Sequence, residues 1–183
     1  PTTKDELIIL LDSLTDVQSK DRGAVLKRIY LSKAPDNAYN VDKEISRYAT
    51  SNIVSDATRE NLFNVIGRRG NPIVIEDLLG YAERNPNQTS SRFAIIGAAK
   101  NPKDEDFGTY LNILNITEND SVSKVTEDAL QKIITQSRKR DRLTTQLIDA
   151  SQATLDDSRK LSMIRLLGAT GTSEAKTKIM ESL

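Results

Sequence analysis

Clusters of apolar residues at helical spacing return along this chain about every 34 positions, and that recurrence limits the fold more than any single motif does. One set comprises Leu7, Leu10, Leu11 and Leu14; Val41, Ile45, Tyr48 and Ala49; Ile75, Leu78, Leu79 and Ala82; Phe107, Tyr110, Leu111 and Leu114; Leu143 and Leu147; and Ala175, Ile179 and Leu183. Starts at Asp5, Val41, Ile73, Asp106, Arg140 and Glu174 are separated by 36, 32, 33, 34 and 34 residues. A second helical segment lies between each neighbouring pair. Its core face falls at offsets 3, 4, 7 and 8 from Arg22 (Val25, Leu26, Ile29, Tyr30), Arg59 (Leu62, Phe63, Ile66, Gly67), Thr89 (Arg92, Phe93, Ile96, Gly97), Thr126 (Ala129, Leu130, Ile133, Ile134) and Lys160 (Met163, Ile164, Leu167, Gly168). Only Arg92 breaks that pattern.

Punctuation agrees with the period. Thr3 and Glu6 form a capping box, Asn71-Pro72 supplies an N-cap followed by proline in the first turn, and "APDN", "RNPN" and "KNPKDED" connect helices. "PIVI" (72–75) could pass for a strand, but its register in the repeat predicts helix. The chain therefore reads as about eleven helices in pairs, and a pair that cannot cover its own apolar face stacks on the next.

The segments "ATRENLFNVIGRRGNPIVIEDLLGYAER" (57–84) and "DSRKLSMIRLLGATGTSEAKTKIM" (157–180) resemble HEAT repeats. The second helix of such repeats carries small and aliphatic residues and often closes on Leu/Ile-Gly. The pattern departs from the family at Ile134-Thr135, at Tyr30, and at Thr89 and Thr126, where a basic residue is common. Tetratricopeptide arrays share the period, but this chain has no tryptophan and lacks their Leu-Gly-x-x-Tyr step at matching positions. The resemblance implies an all-α, right-handed α-α superhelix, a HEAT-like solenoid of five helix pairs plus one extra helix over 1–183, with second helices lining a concave face. Pro1 at the start and an unpaired first helix at the end predict a mature portion or fragment of a longer array.

Composition restricts the chemistry. Neither cysteine nor histidine is present, which removes disulfides, thiolate nucleophiles, imidazole bases and nearly every zinc, haem or copper site, so neither catalytic activity nor a metal or cofactor is expected. Lysine plus arginine (26) equals aspartate plus glutamate (26), leaving no overall field toward nucleic acid or an anionic membrane. The longest apolar runs, such as "LIILL" (7–11), are far shorter than the roughly 20 residues that cross a bilayer. The absence of cysteine fits a reducing or an oxidising compartment equally.

Gly67-Arg68-Arg69-Gly70 has the spacing of the nucleic-acid clamp of KH domains. The flanking strands of that fold are missing, however, and glycine recurs at Gly97 and Gly168, so the run reads as a corner between helices. The carboxylate pairs Asp104 with Asp106 and Asp156 with Asp157 sit at helix starts, where the dipole favours them. The expected function is protein–protein interaction through exposed second-helix residues: Arg59, Glu60, Asn64, Arg68, Arg92 and Arg165. The alternative is a binder of nucleic acid or another polyanion through Arg68, Arg69, Arg138, Lys139, Arg140 and Arg142 stacked along one edge, with "KDEDF" (103–107) placed to neutralise it.

Overall fold

The computed structural model describes residues 3–16, 19–34 and 39–181, and for 16, 19 and 20 the backbone alone. Among the described residues it is all helical: α1 (Lys4–Asp16), α2 (Ser19–Tyr30), α3 (Val41–Ala49), α4 (Asp56–Arg69), α5 (Ile75–Arg84), α6 (Thr89–Ala98), α7 (Phe107–Ile116), α8 (Asp120–Gln136), α9 (Arg140–Ala153), α10 (Asp157–Thr170) and α11 (Ser173–Glu181). Short 3-10 turns, Pro72–Val74 and Asp104–Asp106, lead into α5 and α7, so "PIVI" is helical. The chain divides into two compact units, residues 1–84 with 88–101, and residues 85–87 with 102–183.

In the first unit α1 packs on α2, α3 on α4 and α5 on α6; α2, α4 and α6 touch in succession, as do α1, α3 and α5. In the second, α7 packs on α8 and α9 on α10, while α8 touches α10, and α9 touches both α7 and α11. Each unit is thus two layers, one of first helices and one of second helices. The first-helix apolar residues are buried as their spacing predicts, with Tyr48 and Ile179 half-buried; Leu183 lies outside the described residues.

The second helices follow the expected faces in α4 and α8 and depart from them elsewhere. In α6 the buried residues are Ser90, Ser91, Ala94, Ile95, Gly97 and Ala98, so the register begins at Ser91, two residues later than expected, and Arg92 points to solvent. In α10 they are Ser162, Met163, Leu166, Leu167 and Thr170, one residue earlier than expected. Among the described side chains of α2 only Ile29 is fully covered, and Tyr30 is 41% exposed.

Small residues in α6 have a cause. A Cβ added to Gly67 would lie 3.1 Å from the Cα of Gly97, so the backbones of α4 and α6 meet there and leave room for little beyond Ala and Ser. Gly67 is a residue of α4 itself, and the left-handed corner belongs to Gly70 (φ 65°), whose N–H donates to the Ile66 carbonyl at 3.0 Å. Gly171 (φ 69°) ends α10 in the same conformation. Gly168, expected at an equivalent corner, has open space where a Cβ would sit.

Caps form where the sequence places them. Thr3 N–H donates to Glu6 at 3.3 Å while Glu6 N–H donates to Thr3 Oγ1 at 3.2 Å. Asn71 Oδ1 accepts from Ile73 N–H at 3.1 Å, and Asp156 Oδ1 accepts from Arg159 N–H at 2.8 Å. Polar contacts between pairs repeat the sequence period. Lys43 Nζ meets the Asp77 carboxylate at 3.1 Å, 34 residues on. Ser137 Oγ donates to Asp104 at 2.9 Å, 33 residues back. Asn87 Oδ1 accepts from the Glu118 N–H at 2.6 Å, 31 residues on, and the Asn87 carbonyl accepts from Asn119 Nδ2 at 3.2 Å.

Two kinds of glycine give opposite expectations. Gly67→Ala should lower stability by about 1–3 kcal/mol through overpacking against α6. Gly23→Ala, in α2 with nothing within 4 Å of the added Cβ, should raise it by about 0.5–1 kcal/mol through helix propensity. Urea titration of both variants checks the pair. A third expectation concerns Tyr110, fully buried in α7 with a hydroxyl that has no hydrogen-bond partner among the described residues. Burial, with the Asp106 carboxylate adding to it, pushes its pKa well above the ordinary 10.0. Below that value the phenol is neutral folded and unfolded alike; above it the unfolded chain ionises first, so stability falls with rising pH. Tyr110→Phe should raise neutral-pH stability by up to about 1 kcal/mol and flatten the alkaline loss, read as the urea midpoint at a series of pH values.

Candidate functional site

The six residues expected to meet a partner divide sharply once side chains are placed. Arg59 is only 7% exposed. Its Nε donates to the Ala49 carbonyl at 3.0 Å, and its Nη2 donates to the carbonyls of Ser51 and Val54, each at 2.9 Å. Its Nη1 pairs with the Asp56 carboxylate, and the guanidinium lies 5.2 Å from the centre of the Tyr81 ring. Tyr81 in turn donates to Gln88 Oε1 at 2.7 Å, and its hydroxyl lies 2.8 Å from Ser90 Oγ. Arg59 therefore ties the end of α3 and the following connector to the start of α4, satisfying carbonyls that the end of a helix leaves open. Arg59 belongs to the interior, which corrects its place on the exposed face.

Arg69 is corrected in the same way. Its guanidinium pairs with the Asp42 carboxylate and donates to the Ser32 carbonyl at 3.0 Å and to that of Tyr30 at 2.6 Å. Asn71 Nδ2 adds a second donor to Asp42 at 2.9 Å. These bonds hold the C-terminal ends of α2 and α4 side by side, so the two helices run parallel.

What α4 leaves exposed is the neighbouring row, Asn64 and Arg68, one turn apart, with Glu60 half-buried below them. This row faces α2 across a groove of about 430 Å³ lined by Gly23, Leu26, Lys27 and Tyr30 from α2 and by Asn61, Asn64, Val65 and Arg68 from α4. Leu26 and Val65 supply apolar walls. Among the described residues, Lys27 and Arg68 are the charged lining residues, and no acidic side chain lines the groove.

Of the remaining candidates, Arg92 is exposed on α6, its guanidinium 5.7 Å from the Phe93 ring centre, and Arg165 is exposed on α10 of the second unit. Arg138, Lys139, Arg140 and Arg142 are all exposed at the corner between α8 and α9, and none of the four is ion-paired among the described residues. Arg140 reaches the Thr135 carbonyl at 3.4 Å. The acidic corner does come close: Asp104 accepts from Ser137 Oγ, which itself accepts from the Lys139 N–H at 2.9 Å.

Sequence reasoning passed over Lys27, Asn61, Gly23 and Val65, and assigned Leu26 and Tyr30 to the core. The available signal was positional. Gly23 and Lys27 are one turn apart on α2, on a stripe that the expected core offsets leave out.

Among the described residues, no three His, Cys, Asp or Glu side chains are grouped to hold a metal ion, and no helix is long and apolar enough to cross a membrane. Compared with known proteins, the chain matches no family model and no curated protein.

Arg59→Ala should lower stability by about 2–4 kcal/mol, because two buried carbonyls and a half-buried one lose their donor at once. Arg59→Lys should recover little of this, since a single ammonium cannot span the same fork. Thermal melts followed by circular dichroism decide both.

Proposed function

We propose that this chain is a protein-binding scaffold: HEAT-like helix pairs wound as a right-handed superhelix, with the second helices as the reading surface. The observation that carries the proposal is the α2–α4 groove, in which apolar walls and placed polar side chains converge on the solvent side of the second-helix layer. The two-layer packing within each unit supports the stacked-pair reading, since second helices touch second helices there. Asn64, Arg68, Arg92, Arg165 and, at its margin, Glu60 are the contact residues of this reading; Arg59 supports them from below.

A second reading, polyanion binding, draws on the four unpaired cations Arg138, Lys139, Arg140 and Arg142. Arg69 has no part in it, being engaged with Asp42.

Selection of displayed random peptides against the immobilised protein tests the scaffold. Peptides sharing a consensus should emerge, and their affinity should fall less than about ten-fold between 50 and 200 mM salt. Binding of an oligonucleotide through four phosphate contacts would instead fall about 10²-fold over that range. A library that yields no consensus, alongside a steep salt dependence for the oligonucleotide, would replace the first reading with the second.

A further inference from the structure

We infer that the α2–α4 groove seats a short, extended, acidic segment of a partner protein, with one aliphatic side chain between Leu26 and Val65 and a carboxylate against Lys27 and Arg68. The inference rests on the scaffold reading and gives that surface a ligand chemistry.

Dimensions come first. The lining positions run from Gly23 to Tyr30 on α2 and from Asn61 to Arg68 on α4, seven residue steps on each. At 1.5 Å per residue that is a trough about 10 Å long. An extended chain advances about 3.3–3.6 Å per residue, so about three residues fit along it. Over that length a volume of about 430 Å³ leaves a cross-section of about 40 Å², well below the roughly 80–110 Å² of a helix 10–12 Å across, so a helix does not fit inside it.

Chemistry sets the order of those residues. The parallel alignment enforced by Arg69 brings Tyr30 and Arg68 to the same end, with Lys27 one turn before Tyr30. Two cations, with no acidic lining residue among the described residues, make that end complementary to carboxylate, and the arginine fork suits it in particular. Leu26 and Val65, in the middle, offer an apolar contact that a bare polyanion would not use. Gly23, at the far end, stands in a helix where alanine would be the better helix former, and the place of its missing side chain is open. The consequence is an unobstructed entrance.

The chemistry favours a peptide over a nucleic acid. Two charges match one or two carboxylates, whereas a nucleic-acid strand would want a longer basic track with stacking surfaces; among the described residues Tyr30 is the one aromatic residue in the lining.

The test is an NMR titration of the ¹⁵N-labelled full chain with acetyl-Ser-Leu-Glu-Glu-Ser-amide. Three controls accompany it: the same peptide with lysine for both glutamates, the same peptide with serine for leucine, and an oligothymidylate. The expected result is a set of shifts confined to the amides around Gly23, Leu26, Lys27, Asn64, Val65 and Arg68. Either control peptide should bind at least ten-fold more weakly, as should the original peptide to Lys27→Glu or Arg68→Glu. Gly23→Phe, which fills the entrance without touching the core, should abolish the shifts while leaving the thermal melt no lower than that of the parent chain. Equal binding of the lysine peptide, stronger binding of oligothymidylate at the same amides, or no shift there at millimolar peptide overturns the inference. Library-selected peptides that shift α6 or α10 and leave the groove silent would overturn it while sparing the scaffold reading. A library without consensus removes the scaffold reading itself.

Discussion

Within each unit, a helix pair carries apolar side chains on a face that its own two helices do not cover, and the neighbouring pair of that unit closes it. The tightest instance is the contact of α4 with α6, where Gly67 and Gly97 let two backbones meet. Much follows from that one approach. The facing positions of α6 must be small, so Ser90, Ser91, Ala94 and Ala98 form the interior where α4 has Leu62 and Phe63, and the larger Phe93 and Ile96 are turned partly outward. With few large aromatics anywhere in the chain, burial is spread over many modest aliphatic contacts.

Three arginines on α4 illustrate how position sorts identical chemistry. Arg59 stands at the start of the helix beside a connector full of open carbonyls and is drawn inward by them. Arg69 stands at the end, where Asp42 and the carbonyls at the end of α2 hold it. Arg68, one residue earlier, is rotated by about 100° around the helix and keeps its charge for solvent. The two engaged arginines shape the groove that the third lines: Arg69 holds the C-terminal ends of α2 and α4 together, and Arg59 anchors the beginning of α4.

Most of the helical layout was legible in the sequence, because a period near 34 with apolar offsets of 3, 4, 7 and 8 has no strand equivalent, and because Thr3, Asn71 and Asp156 mark helix starts by their own chemistry. The errors arose where a local match masked the register. Ile96-Gly97 copies Ile66-Gly67 in letters, which drew the alignment of α6 two residues away from its true face; the misfit at Arg92 was the visible symptom. In α10 the Leu-Gly ending did the same by one residue. The groove was illegible for a different reason. It depends on which outer rows of two helices face each other, and offsets chosen for the core say nothing about that. Likewise the burial of Arg59 is decided by carbonyls up to ten residues away in a connector without a motif.

The period-matched contacts between pairs also bear on how this chain reaches its fold. No described hydrogen bond or ion pair reaches farther along the sequence than the 42 residues between Arg159 and Thr117. Loop-closure costs are correspondingly modest and contact order is low, the condition under which folding is fast. During synthesis a helix pair needs only about one further repeat to emerge before its partners are present, so its apolar face is exposed for the time taken to add some thirty residues.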